Sequence, residues 1–180
     1  MLINSWVNET PFELIPNLSY KVGEKVFYTQ RRLVSIDKLS LPYRGHIDTV
    51  VRNKAQVYVE TSRGCSWAAC TFCLRGLTDV KGKRTEYRRF SIERLSLDLL
   101  NLNKYDIRVF TMADEDFLGG NIESNEIFIN GFEKFCVDNN LQLSFDASLT
   151  VHSIFSNKHT EFELNSIRKQ LIKLKSIGLK

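Results

Sequence analysis

The sequence predicts an α/β fold, a parallel β-α repeat preceded by a β-hairpin and linker, on three observations. Strand-like apolar runs recur at residues 56–61, 106–112 and 141–148. Each is followed by a segment whose apolar residues fall at helical spacing. Strands and helices alternating in this order build a parallel sheet covered by helices through right-handed crossovers. At 180 residues and 43% hydrophobic, the chain is long enough for one domain with a real core.

The first 55 residues differ from the rest and form an N-terminal hairpin and linker, residues 1–55, ahead of the β-α region, residues 56–180. "LSYKVGEKVFYTQRRL" (18–33) carries two strand-like runs around "VGEK", the pattern of a hairpin. "DKLSLPYRGHID" (37–48) has the Pro and Gly of an extended linker.

Beyond it, "QVYVET" (56–61) reads as a buried strand leading into a long Gly-containing loop. Ser91 is placed to cap the first helix, with Ile92, Leu95, Leu99 and Leu102 at helical spacing behind it. "DIRVFTM" (106–112) is the second strand. A second helix is expected from about Asn125 to Asp138, burying Phe128, Phe132 and Phe135 and stopping at "NN" (139–140), because Asn tolerates left-handed backbone. "LQLSFDAS" (141–148) is the third strand. The third helix begins at Thr160, whose hydroxyl and Glu163 form a capping-box pattern; it buries Leu164, Ile167, Leu171 and Leu174 and ends at Gly178.

Charge and hydropathy exclude several functions. A net charge of +4 falls short of the concentrated basic charge of nucleic-acid binders, and the stretch Lys81, Lys83, Arg84, Arg88 and Arg89 with Tyr87 reads as a solvated loop rather than a nucleic-acid site. The N-terminus lacks a signal-peptide pattern, and no apolar stretch approaches the about 20 residues needed to span a bilayer, so the expected compartment is cytoplasmic, with no membrane partner. In a reducing compartment, clustered cysteines are metal ligands or redox thiols more often than disulfides.

Three of the four cysteines, Cys65, Cys70 and Cys73, form C-x4-C-x2-C on the loop leaving the first strand, on the side where parallel α/β folds place their sites. Structural zinc takes four ligands in separated pairs; here no second C-x2-C exists, and His46, His152 and His159 are distant in sequence. A catalytic zinc with three protein ligands is compatible with these residues. Three thiolates so spaced suit an iron–sulfur cluster better, a [4Fe-4S] cubane with one iron left open. Reduced core thiols and a redox pair of Cys70 and Cys73 are the remaining readings. Cys136 lies on the apolar face of the second helix and reads as a core thiol.

"SRGCSWAACTFC", followed one strand later by "FTMADEDFLGG" (110–120), resembles the radical S-adenosylmethionine (radical SAM) superfamily, specifically its cobalamin-associated branch. The superfamily's usual spacing is C-x3-C-x2-C, and this chain has one residue more between Cys65 and Cys70. The resemblance implies that residues 56–180 are three β-α units, half of a partial (β/α)6 radical SAM barrel, and that the chain is a truncated fragment of a longer enzyme. Residues 15–44 resemble the hairpin and linker that join a cobalamin-binding domain to such a barrel. No such domain precedes them here, which leaves cobalamin in doubt.

By the same resemblance, Cys65, Cys70 and Cys73 hold a [4Fe-4S] cluster whose open iron takes S-adenosylmethionine, to be cleaved reductively to a 5′-deoxyadenosyl radical. Phe72 matches the aromatic position beside the adenine. Asp114 and Glu115 stand where many members bind the methionine ammonium, and carboxylates suit a cationic amine. The implied partners are an unknown substrate and an electron donor such as flavodoxin or ferredoxin. No side chain of the chain is assigned a directly catalytic role. The competing expectation is a non-catalytic iron–sulfur or zinc-binding module.

Overall fold

The computed structural model describes residues 2–30, 32, 35–67, 70–73 and 87–180. In chain order the elements are α1 (Leu2–Val7), β1 (Ser19–Val22), β2 (Lys25–Tyr28), α2 (Ile47–Arg52), β3 (Tyr58–Val59), β4 (Ser62–Arg63), β5 (Arg88–Arg89), α3 (Ile92–Asn103), β6 (Val109–Met112), α4 (Ile122–Asp138), β7 (Ser144–Asp146), α5 (Val151–Ile154) and α6 (Glu161–Ile177). Strands β3, β6 and β7 lie side by side in that order and are parallel, with Val59 opposite Met112 and Phe110 opposite Phe145. The α/β reading holds: among the described residues three successive strands, each followed by a helix, form an open parallel sheet.

Period-two alternation sorts the sheet's faces. Val59, Phe110, Met112 and Phe145 point to the helical side and are buried, together with Leu95, Leu99 and Leu102 of α3, Phe128 and Phe132 of α4 and Leu174 of α6. Phe132 is 0% exposed, and its ring centroid lies 5.8 Å from that of Phe145. On the opposite face Tyr58 and Val109 are exposed. The first strand is therefore half-buried rather than buried as its apolar run suggested, because among the described residues helices cover one face only.

Helix ends follow local chemistry. Ser91 accepts a hydrogen bond from the Arg94 amide, and Thr160 and Glu163 form the reciprocal capping box. Helix α4 starts three residues before its expected first turn because Asn121 caps it, accepting from the Ser124 amide at 2.7 Å. Its stop matches expectation, with Asn140 at φ 49°. Past α6 the chain returns to the sheet: Gly178 takes φ 134°, and Leu179 pairs in parallel with Phe145 beside β7. A side chain at Gly178 would collide with the Leu143 carbonyl, so backbone conformation and space both require glycine there.

The N-terminal region is a hairpin on a docked tether. β1 and β2 pair through a Gly23–Glu24 turn, with Gly23 at φ 58°, as a two-residue hairpin of the type with glycine first requires. The linker is not simply extended. It contains α2 and is fastened to α3: Asp37 accepts from the Ser91 amide at 2.8 Å, Arg94 donates to the Ser40 carbonyl at 2.8 Å, and Arg44 forms a two-pronged bridge to the buried Asp98 at 3.2 and 2.8 Å. Arg44 also reaches the Tyr58 carbonyl, tying the linker to β3. No helix among the described residues is long and apolar enough to cross a membrane.

Phe132→Ala removes a fully buried ring from this core and is expected to cost about 3–5 kcal/mol in urea unfolding. Phe162→Ala, at a position 83% exposed, should stay within about 0.5 kcal/mol of wild type.

Candidate functional site

The sheet ends in a set of polar anchors. Where the chain leaves β3, Thr61 and Ser62 are fully buried, a costly place for hydroxyls without partners. Asp114, just past β6 and 5% exposed, supplies the acceptor. Its Oδ1 takes the Thr61 hydroxyl at 2.8 Å and the Thr61 amide at 3.2 Å, and also accepts from the Ser62 hydroxyl. Burial raises the Asp114 pKa, while the Ser62 and Thr61 hydrogen bonds and the charge of Arg89 pull it back down.

Past β6 the neighbouring carboxylates take different partners. Glu115, half-buried, accepts from the Gly64 amide at 3.2 Å, one residue before the first cysteine. Asp116, fully buried, accepts from the hydroxyls of Ser66 at 3.1 Å, Thr150 at 3.0 Å and Ser153 at 2.9 Å. Three consecutive acidic residues thus hold the exit of β3, the start of the cysteine loop and the turn into α5.

The loop is closed at its base. β4 pairs antiparallel with β5, Ser62 opposite Arg89 and Arg63 opposite Arg88, so the segment bearing the cysteines leaves and re-enters through a short two-stranded ribbon. Cys65 and Cys73 are half-buried and Cys70 is exposed. The Cys73 amide donates to the Cys70 carbonyl at 3.2 Å, a turn that brings the second and third cysteines onto one bend. Phe72 between them is 90% exposed. Trp67 packs on His152 of α5, ring centroids 5.0 Å apart. Among the described residues no three His, Cys, Asp or Glu side chains already form a metal-holding group. The donor chemistry nonetheless fits an iron–sulfur cluster: three thiols on one loop, with its entry and exit fixed by bonds that need no metal.

Lys81, Lys83 and Arg84 of the basic stretch lie outside the described residues. Arg89 does not belong to a solvated loop: its Nη2 donates to the Phe117 carbonyl and to Asn125 Oδ1, and its guanidinium stands 4.3 Å from the Phe128 ring centroid. Tyr87 packs with it against the 114–120 turn. A side chain at Gly119 would come within 2.6 Å of the Tyr87 ring, which gives the "GG" of that turn a steric reason. Sequence reasoning missed both roles. The available signal was the alternation of Tyr87, Arg89 and Ser91 around the buried Phe90, which reads as a strand rather than as a charge run. Cys136 is buried, as expected, and burial pushes its thiol up to about 12, which favours the protonated thiol.

No family model and no curated protein matches the sequence. Solved structures do match. OxsB, a cobalamin-dependent radical S-adenosylmethionine enzyme with aqua-cobalamin and S-adenosylmethionine bound, superposes with a TM-score of 0.83 at 21% identity over 99% of this chain and 25% of its own. Its apo form gives 0.76 at 22% identity. The radical S-adenosylmethionine methyltransferase TsrM from Kitasatospora setae, with cobalamin and a [4Fe-4S] cluster, gives 0.62 at 12% identity over 99% of this chain and 34% of its own. The fold is the one these cobalamin-dependent radical SAM enzymes contain. The chain spans a quarter of the length of OxsB.

Asp114→Ala leaves the Thr61 amide and two hydroxyls buried without their acceptor, an expected loss of about 3 kcal/mol or more in chemical denaturation. Because the folded-state pKa of Asp114 is raised, its contribution to wild-type stability is full below the ordinary carboxylate range and is lost as pH rises through the raised value. That decline should be absent in Asp114→Asn, measured by urea midpoints across the acid range.

Proposed function

We propose that this chain is the cluster-bearing portion of a radical SAM enzyme, in which Cys65, Cys70 and Cys73 hold a [4Fe-4S] cluster and S-adenosylmethionine binds beside it. The supporting observation is the three-cysteine loop at the carboxyl end of the first strand of a parallel sheet whose fold is that of OxsB and TsrM. A reduced cluster, supplied with an electron by a low-potential donor of the flavodoxin or ferredoxin kind, provides the reductive cleavage of S-adenosylmethionine to a 5′-deoxyadenosyl radical.

The chain's own residues bind and orient. Glu115, half-buried and one hydrogen bond from the loop entrance, is the carboxylate assigned to meet the methionine ammonium. Asp114 contributes to the same site by holding Thr61 and Ser62 in place. Phe72, exposed on the cysteine bend, is available to cover the adenine ring. The uncovered sheet face bearing Tyr58, Thr111 and Asp146, which lie side by side in register, is where a substrate would stand against the strand ends. Excluding water from that face falls to whatever covers it.

Anaerobic reconstitution of single variants tests the ligand set. Cys65→Ala, Cys70→Ala and Cys73→Ala should each lose most of the iron and its charge-transfer absorption, while Cys136→Ala keeps both. Full occupancy in Cys70→Ala, or tetrahedral zinc in the wild type without that absorption, would replace this reading with a metal-binding module.

Glu115→Ala should weaken calorimetric binding of S-adenosylmethionine on the order of tenfold or more while the cluster remains, since a charge-assisted contact contributes about 1.5–3 kcal/mol. Unchanged affinity would place the ammonium elsewhere.

A further inference from the structure

A cleft of about 640 Å³ opens between the N-terminal halves of α4 and α6, and Ser66 of the cysteine loop also lines it. It lies among the helices, away from the uncovered sheet face, and its volume suits a small organic ligand. Leu118 and Ile167, both buried, give it an apolar wall, and the Phe162 ring stands 83% exposed beside them.

The polar atoms left unmatched along this cleft are acceptors. Gln170 is only 4% exposed; its Nε2 donates to the Ile122 carbonyl at 2.9 Å, which fixes the amide's orientation, and its Oε1 accepts no hydrogen bond among the described residues. Glu163 spends one oxygen on the Thr160 amide and hydroxyl, at 2.7 and 2.9 Å, and keeps the other. Those bonds hold its carboxyl below the usual range, so it is ionised at neutral pH. Glu123 adds a second carboxylate, one residue past the carbonyl that Gln170 binds. His159 Nδ1, on the same wall, is closed to water and has no partner among the described residues. No Lys or Arg is among the described residues lining the cleft, on a chain whose net charge is +4. The two helix N-termini that open on it are already capped, by Asn121 on the Ser124 amide and by Thr160 on the Glu163 amide, and an anion there would meet both carboxylates.

We propose that this cleft binds a primary ammonium group carried on a short apolar stem, either a free alkylamine or a lysine side chain. An ammonium has three donors and no acceptor, which matches the free oxygens of Gln170, Glu123 and Glu163. The stem lies along Leu118 and Ile167, and the exposed Phe162 ring offers its face to the cation. Glu115, assigned above to the ammonium of S-adenosylmethionine, is outside this cleft, so the site is a second one and does not rest on the reading of the cysteine loop.

The test titrates the full nitrogen-15-labelled chain with n-pentylamine, with the uncharged 1-pentanol and with the anion valerate, at neutral pH and fixed ionic strength. Pentylammonium should shift the Gln170 side-chain amide and the Glu123 and Phe162 backbone amides, with a dissociation constant of about a millimolar or below. Pentanol and valerate should bind about tenfold more weakly or worse, since they lose the charge-assisted contacts. Glu123→Gln and Phe162→Ala, both at exposed positions, should each weaken pentylammonium by about twofold to fivefold. A lysine blocked as its N-acetyl methylamide separates the two sources: tighter binding than pentylamine assigns the cleft to a peptide side chain, weaker binding to a free amine, and both uphold an ammonium site. Pentanol or valerate binding as well as pentylammonium, or an affinity unchanged in both variants, overturns the proposal. None of these readouts involves iron or S-adenosylmethionine, so failure of the cysteine variants and failure here are told apart.

Discussion

The candidate site depends on the buried carboxylate of Asp114 and the two buried hydroxyl residues it holds. The end of β3 must turn away from the sheet to begin the cysteine loop, and at that turn Thr61 and Ser62 are removed from water. Their hydroxyls and the Thr61 amide all find one acceptor, just past the neighbouring strand β6. A buried acceptor so engaged fixes direction as well as distance, because losing it strands several donors together. Glu115 and Asp116 extend the same logic: each takes its own donors, so one short acidic run grips three separate segments.

The apolar core makes that arrangement rigid. Met112, two residues before the acidic run, and Phe117 and Leu118, immediately after it, are buried. The polar residues are therefore held between hydrophobic anchors, and the loop is presented from a fixed platform, which is how α/β folds place variable chemistry on a constant scaffold. The β4–β5 ribbon and Arg89 close the platform from the other end of the loop. Geometry at the loop's base is set by hydrogen bonds and packing among protein groups alone.

What was legible in the sequence was local. The Thr160–Glu163 capping box, the Ser91 cap, the Asn140 stop and the Gly178 turn all depend on neighbours within a few residues, and each stands where its pattern indicated. The three strands and their order were legible from periodicity. The β4–β5 pairing was not, because the alternation around Phe90 indicates a strand without naming its partner, which lies across the whole cysteine loop. The docking of the linker was hidden for the same reason: Arg44 meets Asp98 across 54 positions of sequence. Within the site, spacing singled out the cysteines, and "DEDF" singled out the acidic run. Which carboxylate faces the loop and which is consumed by Thr61 and Ser62 follows from how the chain bends past β6, which no residue type announces. Arg89 looked like surface charge because its apolar surroundings, Phe117 and Phe128, arrive from later in the chain.

The central claim is that the cysteine loop binds a cluster with one iron open to S-adenosylmethionine. Electron paramagnetic resonance of the anaerobically reconstituted, dithionite-reduced chain, recorded with and without S-adenosylmethionine, addresses it most directly. The account predicts a reduced [4Fe-4S] signal whose g-values shift when S-adenosylmethionine is added and stay put when methionine-free adenosine is added instead. A cluster signal indifferent to S-adenosylmethionine, or no cluster at all in protein that is folded and replete with iron and sulfide, would contradict it.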